Sequence, residues 1–95
     1  MRYLEQAEEE LLSAITYFED RSKGLGRRFY GEVRRAERML ERFPESGREI
    51  LPGIRRHLLR KFPYSLIYSI EEDGLLVLAV AHHRRLPTYW IDRVG

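Results

Sequence analysis

The sequence contains no cysteine, so neither a disulfide framework nor a thiolate metal site can hold the chain together. It also lacks a long apolar run, because the longest one, Leu75 to Ala81, is far shorter than the roughly 20 residues that a membrane-spanning helix needs. The N-terminus has no charged-then-apolar signal-peptide pattern. These absences favour a cytoplasmic protein without a membrane segment. With 95 residues and 43% hydrophobic content, the chain suits one compact domain over residues 1–95.

Positive charge is concentrated in the C-terminal half. Through Gly53 there are ten Lys or Arg residues against eleven Asp or Glu, whereas from Ile54 onward there are seven against four. Three of those four acidic residues, at positions 71–73, surround one turn. The remaining surface of this half is therefore predicted to be locally positive, which is compatible with an anionic partner.

Two amphipathic helices are predicted in the first half of the chain. Apolar residues recur at three- and four-residue spacing in two stripes: Leu4, Ala7, Leu11, Ala14, Ile15 and Phe18, then Leu25, Phe29, Val33, Ala36, Leu40 and Phe43. Gly24 and Gly26 separate the stripes, and Pro44 ends the second one. The pattern predicts a helical hairpin over about residues 4–43.

A sheet is predicted in the second half, after a loop over residues 44–53. Residues 54–62, 64–71 and 75–81 read as strands, and the last is apolar throughout, as expected of a strand buried on both faces. Asp73-Gly74 indicates a type I′ hairpin turn. A two-residue loop there would place Ile70 opposite Val77, Tyr68 opposite Ala79 and Leu66 opposite Ala81. The predicted fold is α+β, with the helical hairpin packed on an antiparallel sheet of three strands or more over about residues 54–84.

Basic residues gather where the last strand ends. The run from His82 to Arg85 leaves that strand near the turn at Pro63, and hence near Arg60 and Lys61. We therefore expect an accessible cationic surface at this corner of the sheet. His82 and His83 are not expected to chelate one metal ion, because neighbours in a strand point to opposite faces. The sequence contains no metal-site spacing and no phosphate-binding glycine loop, so no metal and no cofactor are expected.

Four segments in this order resemble the ParE branch of the RelE/ParE superfamily of bacterial type II toxins, the family of plasmid stabilisation proteins. They are AEEELLSAITYFEDRSKGLGRRFYGEV, FPESG, GIRRHLLRKFPYSLIYSI and VLAVAHHRRLPTYW. The closing pattern of His82, Arg84, Arg85, Pro87, Tyr89 and Trp90 is the most specific piece. The resemblance implies a small cytoplasmic toxin that inhibits growth, is neutralised by a cognate antitoxin, and binds and inhibits DNA gyrase or another large target. The fold it implies is a helical hairpin on an antiparallel sheet.

The resemblance also implies a first strand before the first helix, for which Met1 to Leu4 leaves little room. We therefore expect that strand to be absent or reduced, or the true start of the chain to lie upstream. A missing strand would leave a sheet edge open to an antitoxin segment or to a second copy of the chain. A homodimer and a monomer are both compatible with the sequence.

Three functions remain open on the residues. A binding toxin would contact its target through the basic corner, and the candidates are Arg56, Arg60, Lys61, His82, Arg84, Arg85 and Trp90. A ribosome-dependent endoribonuclease would cut mRNA with a base, cations and a stacking ring, for which the candidates are His83, Arg84, Arg85 and Tyr89. A non-toxic interaction module would have the same fold. In a purely structural interpretation, Arg84 and Arg85 bind antitoxin or solvent while Tyr89 and Trp90 cap the core.

Overall fold

The computed structural model describes residues 1–94 and contains two helices and a five-stranded mixed sheet. The helices are α1 (Glu5–Arg21) and α2 (Leu25–Arg42), and the strands are β1 (Arg2–Tyr3), β2 (Arg48–Leu51), β3 (Ile54–Leu58), β4 (Tyr64–Glu71) and β5 (Gly74–His82). Their order in the sheet is β1-β5-β4-β3-β2, with β1 parallel to β5 and the other pairs antiparallel. The predicted α+β class, with a helical hairpin packed on the sheet, is confirmed. Within residues 1–94, neither helix combines the length and the apolar character that crossing a bilayer requires.

The two helices join through a tight connection at Gly24. Gly24 has a φ of 86°, a left-handed conformation that glycine adopts without the steric cost of a Cβ atom. The Glu19 carboxylate accepts hydrogen bonds from the backbone N–H groups of Gly24 and Gly26, at 3.0 and 3.1 Å. It thereby satisfies donors that the first turn of α2 leaves without helical partners. Residues close to the junction in sequence therefore determine where α1 ends and α2 begins.

Both faces of the sheet are covered. On one face, Leu66, Tyr68, Val77 and Val80 form a single core with the apolar stripes of α1 and α2. On the opposite face, a second core contains Ile54, Ile67, Leu78, Ala79 and Trp90. The chain after β5 therefore folds back over the face that the helices leave uncovered. This double coverage explains why β5 is apolar along its whole length.

The structure corrects three sequence predictions. Residues 44–53 are not only a loop, because they include β2, which pairs with β3 at the sheet edge. The β4–β5 register also differs, since Ile70 lies opposite Leu75, Tyr68 opposite Val77 and Leu66 opposite Val80. The turn closes one residue earlier than expected, with Glu71 opposite Gly74, and an irregularity between Ile67 and Tyr68 shifts the pairing again. The type I′ prediction is wrong, because Gly74 is the only residue of this turn with a positive φ.

The first strand is reduced but present. Arg2 and Tyr3 pair in parallel with Leu76 and Val77, and the Leu4 N–H donates to the Val77 carbonyl at 3.0 Å. Beyond Val77, no strand within residues 1–94 pairs with the outer edge of β5. This uncovered edge lies next to the basic residues that the sequence analysis singled out.

Candidate functional site

The basic segment after β5 is tied to the turn between β3 and β4. The His83 N–H donates to the Pro63 carbonyl at 2.8 Å, and the Arg85 N–H donates to the His82 carbonyl at 3.0 Å. These bonds place residues 82–85 beside the turn that carries Arg60 and Lys61. The end of β5 therefore lies beside the turn at Pro63, as the sequence analysis expected.

A small cavity of about 100 Å³ lies at this corner, on the sheet face opposite the helices. Six of the candidate residues line it: Arg56, His82, His83, Arg85, Tyr89 and Trp90. Arg84 is exposed in the same turn, between two of these residues. Lys61 instead borders a separate groove with Leu25, Arg28 and Phe62, next to α2. The structure thus gathers most of the candidates at one place and sets Lys61 apart.

Five cationic side chains of this region are exposed: Arg56, Lys61, Arg60, Arg84 and Arg85. Within residues 1–94, none of the five has a carboxylate within 4.0 Å. Their charge is therefore not neutralised inside the molecule and is available to a partner. The acidic residues near the β4–β5 turn lie at the opposite end of that hairpin, where Asp73 pairs with Arg2 at 3.0 Å.

Tyr89 is engaged by its own protein on two sides. Its hydroxyl donates to Glu10 Oε2 at 2.6 Å, and the guanidinium groups of Arg85 and Arg93 lie 3.8 and 5.2 Å from its ring centroid. Burial raises the pKa of Tyr89 well above its usual value, and the hydrogen bond to Glu10 raises it further. The hydroxyl consequently stays protonated at neutral pH. A nucleobase would have to displace an arginine to stack on this ring.

The two histidines of the corner also have internal partners. His83 Nε2 lies 3.0 Å from Ser65 Oγ, and His82 Nδ1 accepts a hydrogen bond from the Arg84 N–H at 2.9 Å. Burial lowers the pKa of His82, and the charges of Arg84 and His83 lower it further. Within residues 1–94, neither imidazole contacts a carboxylate that would orient it as a general base. In the part of the chain that the structure describes, no group of three or more His, Asp or Glu side chains is placed to hold a metal ion.

Trp90 lies in the interior of the second core and is 1% exposed. The sequence analysis placed it among the target contacts, but in this position its ring has no surface to offer a partner. Its place agrees with the alternative interpretation, in which Trp90 caps the core. The residues before Trp90 have no apolar periodicity that would signal this burial, which depends on the chain folding back over the sheet.

A cluster of side chains that the sequence analysis missed bonds to the edge of β5 beyond Val77, where β1 does not pair. Glu10, on α1, accepts hydrogen bonds from Arg93, from Tyr89 and from the Val80 N–H, the last at 3.0 Å. Arg93 Nη1 also donates to the Leu78 carbonyl at 3.1 Å. Two charged side chains thus satisfy backbone groups that a longer β1 would have bonded, which protects a strand edge from unwanted pairing. No local spacing rule relates position 10 to position 93.

Comparison with known proteins decides the family. Residues 1–87 match the family described as the ParE toxin of the type II toxin-antitoxin system, parDE. This chain belongs to the ParE toxin family. No curated protein matches the sequence. A similar solved structure is described as the chromosomal ParDE TA system from P. aeruginosa, with a TM-score of 0.70 and 15% identity over 85% of this chain and 91% of that chain.

The family match does not cover the whole candidate site of this ParE-family chain. It ends at Pro87, so Tyr89, Trp90 and Arg93 lie beyond it. The likeness to the solved structure, at its low identity, establishes the fold alone. What the basic corner of this ParE-family protein does therefore has to be argued from its own side chains.

Proposed function

We propose that this ParE-family protein is the toxin of a type II toxin-antitoxin pair that works in the cytoplasm by binding and inhibiting DNA gyrase. Family membership supports the toxin role. The observation that carries the binding mode is the set of exposed cations around the end of β5, which have no carboxylate partners within residues 1–94. Such a surface steers an acidic partner and aligns it on contact.

The same geometry disfavours the endoribonuclease. RNA cleavage by the 2′-hydroxyl requires a base, an acid and cations that converge on one phosphate. Here His83 bonds to Ser65, Tyr89 bonds to Glu10, and Arg85 lies over the Tyr89 ring. Among the described residues, Arg84 is the one of the four candidates for catalysis whose side chain has no such partner. Catalysis would require these side chains to leave their present partners, whereas binding through the exposed cations does not.

Two assays in parallel test the target. Purified protein is added to DNA gyrase with relaxed plasmid, and transcripts are examined in cells after induced expression. We expect supercoiling to be inhibited while mRNA stays intact. Cleaved transcripts with normal supercoiling would establish the nuclease instead. Normal supercoiling, intact transcripts and unaffected growth together would identify a non-toxic interaction module.

Paired variants test the contact surface. Arg84→Ala with Arg85→Ala is expected to weaken gyrase inhibition about tenfold or more, because two charges that face the partner are lost. Arg27→Ala with Arg38→Ala removes the same charge from exposed positions on α2 that form no ion pair, and should inhibit like the wild type. Equal loss in both pairs would mean that only net charge matters. No loss in the first pair would place the contact elsewhere.

The antitoxin is the second proposed partner, since the family is defined by toxin-antitoxin pairs. Expression of the short reading frame beside the gene, together with this chain, should restore growth and yield a stable complex on size-exclusion chromatography. Growth arrest that persists when both proteins are soluble would contradict neutralisation by that protein.

A further inference from the structure

Leu86 stands out on the surface of the basic corner. Its side chain is 77% exposed, the highest value among the exposed large hydrophobic residues of the described chain. It directly follows Arg84 and Arg85 and borders the small cavity together with Arg56 and Pro87. A leucine held in water forgoes the free energy that burial of its side chain would provide, and here the exposure falls among unneutralised cations.

The backbone presents Leu86 in a defined position. The turn that precedes it is closed by the Arg85 N–H bond to the His82 carbonyl, and the Leu86 carbonyl accepts a hydrogen bond from the Tyr89 N–H at 3.1 Å. A second exposed leucine, Leu58, follows Arg56 by two residues on β3 and is 55% exposed on the same sheet face. Preorganised apolar side chains lose little conformational entropy when a partner covers them.

This combination is typical of a protein-binding surface. Arginine is enriched in protein interfaces relative to the rest of the surface, and exposed apolar groups with a polar border mark an interaction site. Single-stranded nucleic acids are instead bound mainly by stacking on exposed aromatic rings. At this corner Trp90 is buried and the Tyr89 ring lies under Arg85, so neither ring serves that purpose.

We propose that Leu86 is the apolar anchor of the target-binding surface, and that the target is a protein with an apolar recess bordered by carboxylates. The border follows from charge complementarity, because Arg56, Arg84 and Arg85 have no carboxylate partner among residues 1–94, so that a partner protein would supply the carboxylates. The inference deepens the proposed function and depends on it only for the identity of the target as gyrase.

A leucine-to-serine pair tests the anchor. Leu86→Ser should weaken gyrase inhibition about tenfold or more, as loss of a central apolar contact does, and should leave the salt dependence of inhibition unchanged because no charge is removed. Leu12→Ser is the matched control, since Leu12 is 58% exposed on α1 and is not among the residues that line the cavity at the corner. Leu86→Met, which keeps an apolar side chain of similar volume, should retain inhibition. Arg84→Ala with Arg85→Ala should reduce both the inhibition and its salt dependence.

Growth arrest on induced expression provides a readout that does not assume gyrase. If the wild type arrests growth without affecting gyrase, and Leu86→Ser relieves the arrest while Leu12→Ser does not, the gyrase proposal fails and the anchor stands. If Leu86→Ser is as toxic as the wild type at equal soluble expression, the anchor is overturned. Binding to a DNA duplex provides a further outcome. If the wild type and Leu86→Ser both bind the duplex while the double arginine variant does not, the target is a nucleic acid and the proposed protein target is overturned. A wild type that neither arrests growth nor inhibits gyrase overturns both proposals.

Discussion

Glu10 and Arg93 form a two-point ion pair that joins the first helix to the last turn of the chain. Arg93 Nη1 lies 2.8 Å from Glu10 Oε1 and Nη2 lies 3.0 Å from Oε2, although the residues are 83 positions apart. Their side chains are only 17% and 16% exposed. Because the pair also bonds backbone groups of β5, it fastens the C-terminal segment and closes the sheet edge in one arrangement.

Arg93→Ala is expected to lower the free energy of unfolding by about 2–3 kcal/mol, because it leaves the largely buried Glu10 carboxylate without its cationic partner and removes the donor to the Leu78 carbonyl. Arg34→Ala is the control, since Arg34 is 56% exposed in its 3.3 Å pair with Glu37 and should cost at most about 0.5 kcal/mol. Urea denaturation followed by circular dichroism measures both. Equal midpoints for the two variants would show that the buried pair adds nothing beyond a surface pair.

Acid should weaken the same cluster. Burial opposes ionisation of Glu10, but hydrogen bonds from Arg93, Tyr89 and the Val80 N–H outweigh it, so the pKa of Glu10 lies below its ordinary value of 4.5. A carboxyl group with a lowered pKa contributes stability above its unfolded pKa and loses it as the pH falls through its folded pKa. The stability difference between the wild type and Glu10→Gln should therefore be full at pH 6 and shrink below about pH 4.5. A constant difference from pH 6 to pH 3 would contradict this assignment.

His57 gives a pH dependence in a higher range. Its Nε2 is buried without a partner, and burial, with the charge of Arg35 as a second cause, lowers the pKa of His57 below 6.5. The unfolded chain then binds a proton that the folded chain does not, so stability falls as the pH drops below about 6.5. As the pH falls from 7.5 to 5.5, the free energy of unfolding of His57→Leu should therefore rise relative to that of the wild type. A relative stability that is flat over this range in thermal melts would sink the prediction.

Gly47 is required by its contact with Tyr68. The buried Tyr68 hydroxyl accepts a hydrogen bond from the Gly47 N–H at 3.0 Å and donates to the Pro44 carbonyl at 2.7 Å, and a Cβ atom at Gly47 would overlap that hydroxyl. Gly47→Ala should therefore cost about 2–3 kcal/mol. Gly31→Ala, within α2 where an added Cβ meets no atom within 4 Å, should stabilise the protein by about 0.5–1 kcal/mol. Destabilisation by both substitutions would point to backbone effects common to the two sites.

Local patterns in the sequence were sufficient to predict the two helices, which each bury one apolar stripe, and the strand β5, which is buried on both faces. The spacing predicted both helices, because a helical period places the residues from Ala7 to Phe18 and from Phe29 to Leu40 on one side. Phe43, the last residue of the second predicted stripe, instead lies beyond the end of α2 and is 56% exposed. The apolar run from Leu75 to Ala81 predicted a strand covered on both faces, as found. The order of short motifs also indicated the toxin family.

Other features depended on which distant elements meet. The register of β4 and β5 followed from a turn that closes at Glu71 and Gly74, which the Asp73-Gly74 pair alone misplaced by one residue. The sequence left open whether the first strand is absent or reduced. The structure contains a reduced strand, because two residues pair with β5 and side chains bond to the edge beyond them.

The sequence by itself determined the helices, the central strands and the basic composition of the corner, because each of these is encoded by residues close together in the chain. Only the tertiary structure decided that Trp90 is interior, that Tyr89 is held by Glu10, and that Arg93 closes the β5 edge. The physical reason is that burial periodicity is a local property, whereas these contacts form only when residues 89–93 pack against the first helix and the far face of the sheet.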